Sequence, residues 1–176
     1  VSSSHFHDTL SNLMSDMATP AFIRNARLDH VVHSDLSNDL GGVAYTDRLC
    51  DNFGFYRTGF SNLYLNYSYP TSSYTWDVNV VAHELGHNVG SPHTHCYSPP
   101  IDKCYNTQSG ALCYDGPVEI SAGTIMSYCH LVNGGTVQLL FSTREKNLLR
   151  SRVLGLCMTA GTPPPTATAT PNVTPT

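Results

Sequence analysis

Residues 83–93 read HELGHNVGSPH: two histidines four apart, a glutamate directly after the first, and a third histidine six residues beyond the second. On a helix, the i, i+4 spacing sets His83 and His87 on one face, one turn apart, where both imidazoles reach a common ion. Glu84 cannot easily bind the same ion, but it can lean over an open coordination position and take a proton from water there. Gly90 tolerates a positive φ, so the chain can turn sharply and return His93 as a third nitrogen. Three protein ligands with a fourth position open are the arrangement of catalytic zinc, whereas structural zinc is usually closed by four ligands, commonly with Cys. The implied cofactor is one zinc ion on His83, His87 and His93, with Glu84 as general base. His95 is an alternative third ligand, disfavoured by the regular spacing to His93. A surface helix that is merely His-rich is the bland reading, and five fixed positions weigh against it.

These residues need a helix to hold them. The pattern predicts one over residues 76–89, N-capped by Thr75 or Asp77, with Val78, Val81, Ala82, Leu85 and Val89 as its buried stripe and the histidines on another side. Ser142 and Glu145 form a capping-box signature for a final helix carrying Leu149, Val153, Leu156 and Cys157 on one side. An amphipathic helix is expected over residues 5–17, where Phe6, Leu10, Leu13, Met14 and Met17 recur at helical spacing; His5 and His7 are read as solvent-facing rather than as ligands. Strands are expected at residues 28–33 and 42–45, and the clearest alternation lies at residues 63–69. Residues 94–123 are rich in Pro, Gly, Cys and Tyr without helical period, so they should be irregular. Residues 161–176, GTPPPTATATPNVTPT, cannot bury a core and read as an extended linker, a tether to any further module.

A chain of 176 residues has room for one domain. Its net charge of −4 with 9 Lys and Arg argues against nucleic-acid and anionic-membrane partners, which need a basic patch. No apolar run approaches membrane-spanning length. The six cysteines (50, 96, 104, 113, 129 and 157) are even in number with no C-x-x-C pair, and they read as disulfides in an oxidising compartment. Fifteen connectivities are open. The opening VSSSHFHDTL has neither the basic start nor the apolar stretch of a signal peptide.

The His motif, followed by Ile125-Met126-Ser127-Tyr128, resembles the metzincin clan of zinc endopeptidases, whose pattern is the long His motif plus a downstream Met-turn. GGVAYTDRLC at 41–50, HTHCYSPP at 93–100 and GTIMSYCH at 123–130 are similar to the reprolysin-like (adamalysin-related) secreted peptidases, bacterial ones especially. The resemblance covers about residues 41–157. Thr94 stands where reprolysins usually carry Asp, and Cys129 follows the Met-turn, where they tend to have Cys before it.

The resemblance implies an α+β, metzincin-like zincin: a small mixed sheet, an active-site helix, a C-terminal helix, and a lower subdomain that is irregular and disulfide-tied. Such domains carry a strand, a long helix and further strands ahead of the segment matching residues 41–45, so part of the N-terminal sheet and any inhibitory propeptide are expected to lie outside this chain. The catalytic domain is then residues 1–160. Met126 is implied to pack beneath the zinc ligands. Gly42, Val43 and Ala44 form the sheet edge that holds extended substrate. Cys50 is implied to pair with Cys157; Cys96 with Cys129 and Cys104 with Cys113 complete that set. Tyr128 is either an oxyanion donor, by likeness to astacin-like and serralysin-like members, or a core tyrosine.

Together these expectations describe a secreted, monomeric zinc endopeptidase acting on polypeptides. The rival is a non-catalytic zinc-stabilised binding module on the same fold, against which Glu84 argues, since a structural site needs no base. A zinc hydrolase acting on a non-peptide bond is the second rival, because the same water chemistry serves several carbonyl substrates.

Overall fold

A computed structural model describes residues 28–34, 41–51, 54–65, 74–108 and 112–155. Three strands make the main sheet, in the order β1 (Asp29–His33), β3 (Thr58–Asn62), β2 (Gly42–Ala44). β1 runs parallel to β3, with Val31 opposite Phe60, and β2 runs antiparallel to it, with Val43 opposite Phe60. The central strand is buried at all five positions although its sequence, TGFSN, is mostly polar. A buried strand of that kind must satisfy its polar groups internally. His30 Nε2 lies 2.9 Å from Ser61 Oγ, Asn88 Nδ2 donates to the Thr58 carbonyl at 2.9 Å, and Trp76 Nε1 donates to the Asn62 carbonyl at 3.0 Å. The last two bonds come from the helix that carries the His motif. They fasten it to the sheet.

That helix, α1, spans Trp76–Val89, the predicted limits. Thr75 is its N-cap residue but makes no side-chain cap bond. Asp77 instead turns its carboxylate back on the incoming chain, accepting from the backbone N–H groups of Tyr64 at 2.8 Å and Leu65 at 2.9 Å. This overturns the strand expected from residue 63. The Leu63 N–H still bonds the His33 carbonyl at 2.7 Å, but the chain then leaves the sheet, Leu65 takes a φ of 53°, and the alternation over 63–65 belongs to a loop pinned to a helix start; residues 66–69 lie outside the described residues. The strand is the preceding segment, whose lack of alternation hid it because both of its faces are covered.

The predicted stripe of α1 also needs correcting. Val78 is 42 % exposed, Val81, Ala82, Leu85 and Val89 are half-buried, and the deeply buried positions are Asp77, Asn79, Val80, His83, Glu84, Gly86, His87 and Asn88. The inward face of α1 is mainly polar, because it meets polar β3 on one side and builds a chemical site on the other. Ala82, Leu85 and Val89 face the second helix, α2 (Thr143–Gly155), across an apolar groove shared with Leu149 and Val153. The capping box forms as predicted: Ser142 N–H donates to the Glu145 carboxylate, and Glu145 N–H donates to Ser142 Oγ at 3.3 Å. Glu145 is fully buried and also accepts from Thr124 Oγ1, so α2 braces the segment before Met126.

The described residues between the helices are irregular, as expected, apart from short 3-10 turns and a two-residue parallel pairing of β4 (Ala122–Gly123) with β5 (Thr136–Val137). Two disulfides tie it, Cys96–Cys113 and Cys104–Cys129, and the expected pairings of Cys96 with Cys129 and Cys104 with Cys113 are wrong. Cys104 and Cys129 meet inside a small buried cluster with Val137, while Cys96 is brought to Cys113 by the Tyr114 N–H to His95 carbonyl bond of 2.8 Å. Cys50 is disulfide-bonded. Its expected partner Cys157, Leu156, the 5–17 helix and the 161–176 tract lie outside the described residues.

Candidate metal centre

Helix α1 delivers His83 and His87 to one point, and a sharp turn returns His93 to it. Gly90 makes that turn possible: its φ of 121° suits no side-chain-bearing residue, and its N–H bonds the carbonyls of Gly86 and His87. The three Nε2 atoms form a near-equilateral triangle, 3.1 Å from His83 to His87, 3.0 Å from His87 to His93 and 3.1 Å from His93 to His83. Each Nδ1 faces an acceptor: Ile125 O at 2.7 Å for His83, Ser91 O at 2.8 Å for His87, and Gln108 Oε1 at 2.7 Å for His93.

Those acceptors fix the tautomers, because a carbonyl oxygen can only receive a proton. With the hydrogen on Nδ1, all three Nε2 atoms present bare lone pairs to one another at close range, and none can donate to the next. A cation resolves that conflict. Tetrahedral zinc with Zn–N bonds of ~2.0–2.1 Å holds its nitrogens ~3.3 Å apart, close to the triangle found here. Burial keeps the rings neutral, as ligation requires: it pushes His87 down to about 4, His93 down to about 3 and His83 well below the ordinary imidazole value. The residues present therefore fit zinc.

Glu84 is 5 % exposed, and its Oε2 has no hydrogen-bond partner. Burial pushes its carboxyl up to about 8, and a cation beside it would favour the charged form again. Its side chain lies against Gly42 of β2, where a Cβ would come within 2.7 Å of Glu84 Cγ and Oε1. Only glycine lets strand and carboxylate approach so closely. A cavity of about 320 Å³ opens beside them, lined by Gly42, His83, Glu84, Tyr105, Tyr128 and Leu131 among others. Gly42, Val43 and Ala44 form an outer strand of the described sheet, the last member of its order.

Met126 is fully buried under α1, with its Sδ 2.5 Å from where a Cβ on Gly86 would sit. Its neighbour Ile125 supplies the carbonyl that receives His83, and its own carbonyl accepts the Thr94 N–H at 3.1 Å. The turn thus joins His83 to the residue after His93. Tyr128 packs its ring 4.3 Å from that of His93 and 5.9 Å from that of His83, and burial, then the nearness of Glu84, pushes its phenol well above the ordinary value. His95 is fully buried outside the triangle, with Nε2 2.8 Å from Gln108 Oε1. Gln108 and Tyr105, at the site in space, carried no signal in the sequence, because an irregular loop has no period by which to locate them.

Two further groupings of ligand-type residues, His93-His95-Cys96 and Asp102-Cys104-Cys129, contain cysteines already committed to disulfides. They offer no thiolate. Residues 3–137 match the family model Reprolysin_5, described as metallo-peptidase family M12. No curated protein matches the chain.

Proposed function

Because the chain belongs to metallo-peptidase family M12, we propose that it is a secreted endopeptidase that binds one zinc ion on His83, His87 and His93 and uses Glu84 as its general base. When bound, zinc supplies Lewis acidity, polarising the scissile carbonyl and acidifying water at the open position. The protein's own part is to aim groups at that chemistry. Glu84, whose Oε2 is buried and unpartnered, takes the proton of the attacking water and returns it to the leaving amine. Gly42, Val43 and Ala44, on the outer strand of the described sheet, offer their backbone to an extended peptide, a mode that asks little of side-chain identity. Tyr128 lines the same cavity and donates its hydroxyl to the developing oxyanion.

One observation carries the reading: three Nε2 atoms, whose rings each have an acceptor at Nδ1, converge at 3.0–3.1 Å beside a carboxylate with an unused oxygen. A binding module that kept only structural zinc would gain nothing from such a carboxylate, since a buried unpaired polar group destabilises the fold by about 1–3 kcal/mol. Secretion is supported by disulfides, which persist in oxidising compartments, and among the described residues no helix is long and apolar enough to cross a membrane. Residues 1–160 are the proposed catalytic domain and 161–176 a linker. A diverse peptide library, incubated with the zinc-loaded protein with and without chelator and read by mass spectrometry, should show internal cleavages that the chelator abolishes. An untouched library, or cuts indifferent to chelator, would overturn the proposal.

A further inference from the structure

The third imidazole is held differently from the other two. His83 and His87 donate their Nδ1 protons to backbone carbonyls, whereas His93 donates to a side chain, Gln108 Oε1, fifteen residues on. The same oxygen receives a second proton from His95 Nε2 at 2.8 Å, and the His93 and His95 rings stack 5.4 Å apart at 9°. Two donors thus converge on one amide oxygen and use both of its lone pairs. Rotating the amide by 180° would turn its N–H₂ towards both imidazoles and require each to accept, which for His93 would move the ring proton to Nε2, into the triangle.

From this geometry we infer that Gln108 is a positioning residue for zinc: it fixes His93 in the Nδ1–H tautomer, and His95 acts through it by locking the amide with its oxygen facing the ligand. The inference rests on the reading of His93 as a zinc ligand. It also gives the fully buried His95 a task other than ligation. Acceptors of this kind orient a ligating imidazole and raise its basicity, and their loss typically weakens metal affinity by about 10- to 100-fold. Gln108 lies in the loop closed by the Cys96–Cys113 disulfide, which restricts how far the oxygen can drift. A neutral amide orients the ring without adding a charge to the site.

The test is zinc affinity, measured by competition with a chromophoric chelator, on the full chain and on Gln108→Leu, Gln108→Glu and His95→Phe. Gln108→Leu should weaken zinc about 10- to 100-fold. Gln108→Glu keeps an acceptor and should hold zinc at least as well as the parent chain, while His95→Phe should give a smaller loss than Gln108→Leu. Should Gln108→Leu not fold, histidine-ring NMR of the zinc-loaded parent chain decides: three Nδ1–H protons protected from exchange are expected, and a His93 ring protonated at Nε2 or lacking a protected Nδ1–H would overturn the inference. Equal affinity in Gln108→Leu and the parent chain, or equal loss in Gln108→Leu and Gln108→Glu, would leave Gln108 a packing residue with the His triad intact. Failure of the parent chain itself to bind zinc would instead sink the metal reading.

Discussion

Helix α1 and the disulfide-tied stretch after it both deliver imidazoles to one point, but they hold them by different means. His83 and His87 ride on a regular helix fastened to the sheet through Asn88 and Trp76, and main-chain oxygens receive their Nδ1 protons. His93 rides on irregular chain beyond a glycine turn, and its proton goes to Gln108. A backbone acceptor stays whatever side chain bears it, whereas a side-chain acceptor is lost with one substitution. The helical half of the site is therefore fixed by the fold. The loop half is set residue by residue, and under the proposed zinc reading it is the half through which metal affinity and cavity shape can be tuned.

The strongest blow to the helical half should come from Glu84→Gln. Turnover is expected to fall about 10²- to 10⁴-fold while zinc content by metal analysis stays at one ion per chain, because the residue is assigned as base and not as ligand. Loss of zinc in that variant would show that the two halves had been divided wrongly. On the loop half, Tyr128→Phe should cost on the order of 10- to 1000-fold in kcat with an unchanged melting curve. Unaltered kinetics would return Tyr128 to packing.

The contact between the halves is probed by Gly86→Ala. Alanine favours a helix by about 1 kcal/mol over glycine, yet here its Cβ would meet the Sδ of fully buried Met126 at 2.5 Å. The clash should win, destabilising the protein by about 1–3 kcal/mol in denaturant unfolding. A more stable variant would mean that Met126 moves freely and braces nothing.

Acid and base should act on the metal-free protein through different groups. Burial holds His87 near 4 and His93 near 3 in the folded state, below the ordinary 6.5, so the unfolded chain takes up protons first as pH falls. The stability these neutral rings preserve is present above about 6.5 and lost down towards 4 and 3. Glu84 has the opposite sign: raised from 4.5 to about 8, it contributes fully below 4.5 and loses that contribution as pH rises through 8. Melting temperatures of chelated protein should therefore decline on both sides of a maximum in mildly acidic to neutral solution, and Glu84→Gln should remove the alkaline decline alone. The smallest effect is expected from deleting residues 161–176, which should leave melting temperature and cleavage nearly unchanged. A large drop would place that tract against the domain.

The limits of α1, the three histidines that converge, Glu84 next to the first of them and the Ser142–Glu145 capping box were all legible in the sequence. Each is a short-range relation, a matter of 3.6 residues per turn, a glycine at a positive φ, or a side chain reaching three residues back. Tertiary structure alone decided which cysteines meet, that residues 58–62 form a buried strand while 63–65 do not, that the inward face of α1 is polar, and that Gln108 stands behind His93. Those outcomes depend on what lies opposite in space. A strand covered on both faces loses its alternation, a polar helix face reflects the sheet and the Met126 turn that lie opposite it, and a loop residue has no periodicity to announce the proton it receives.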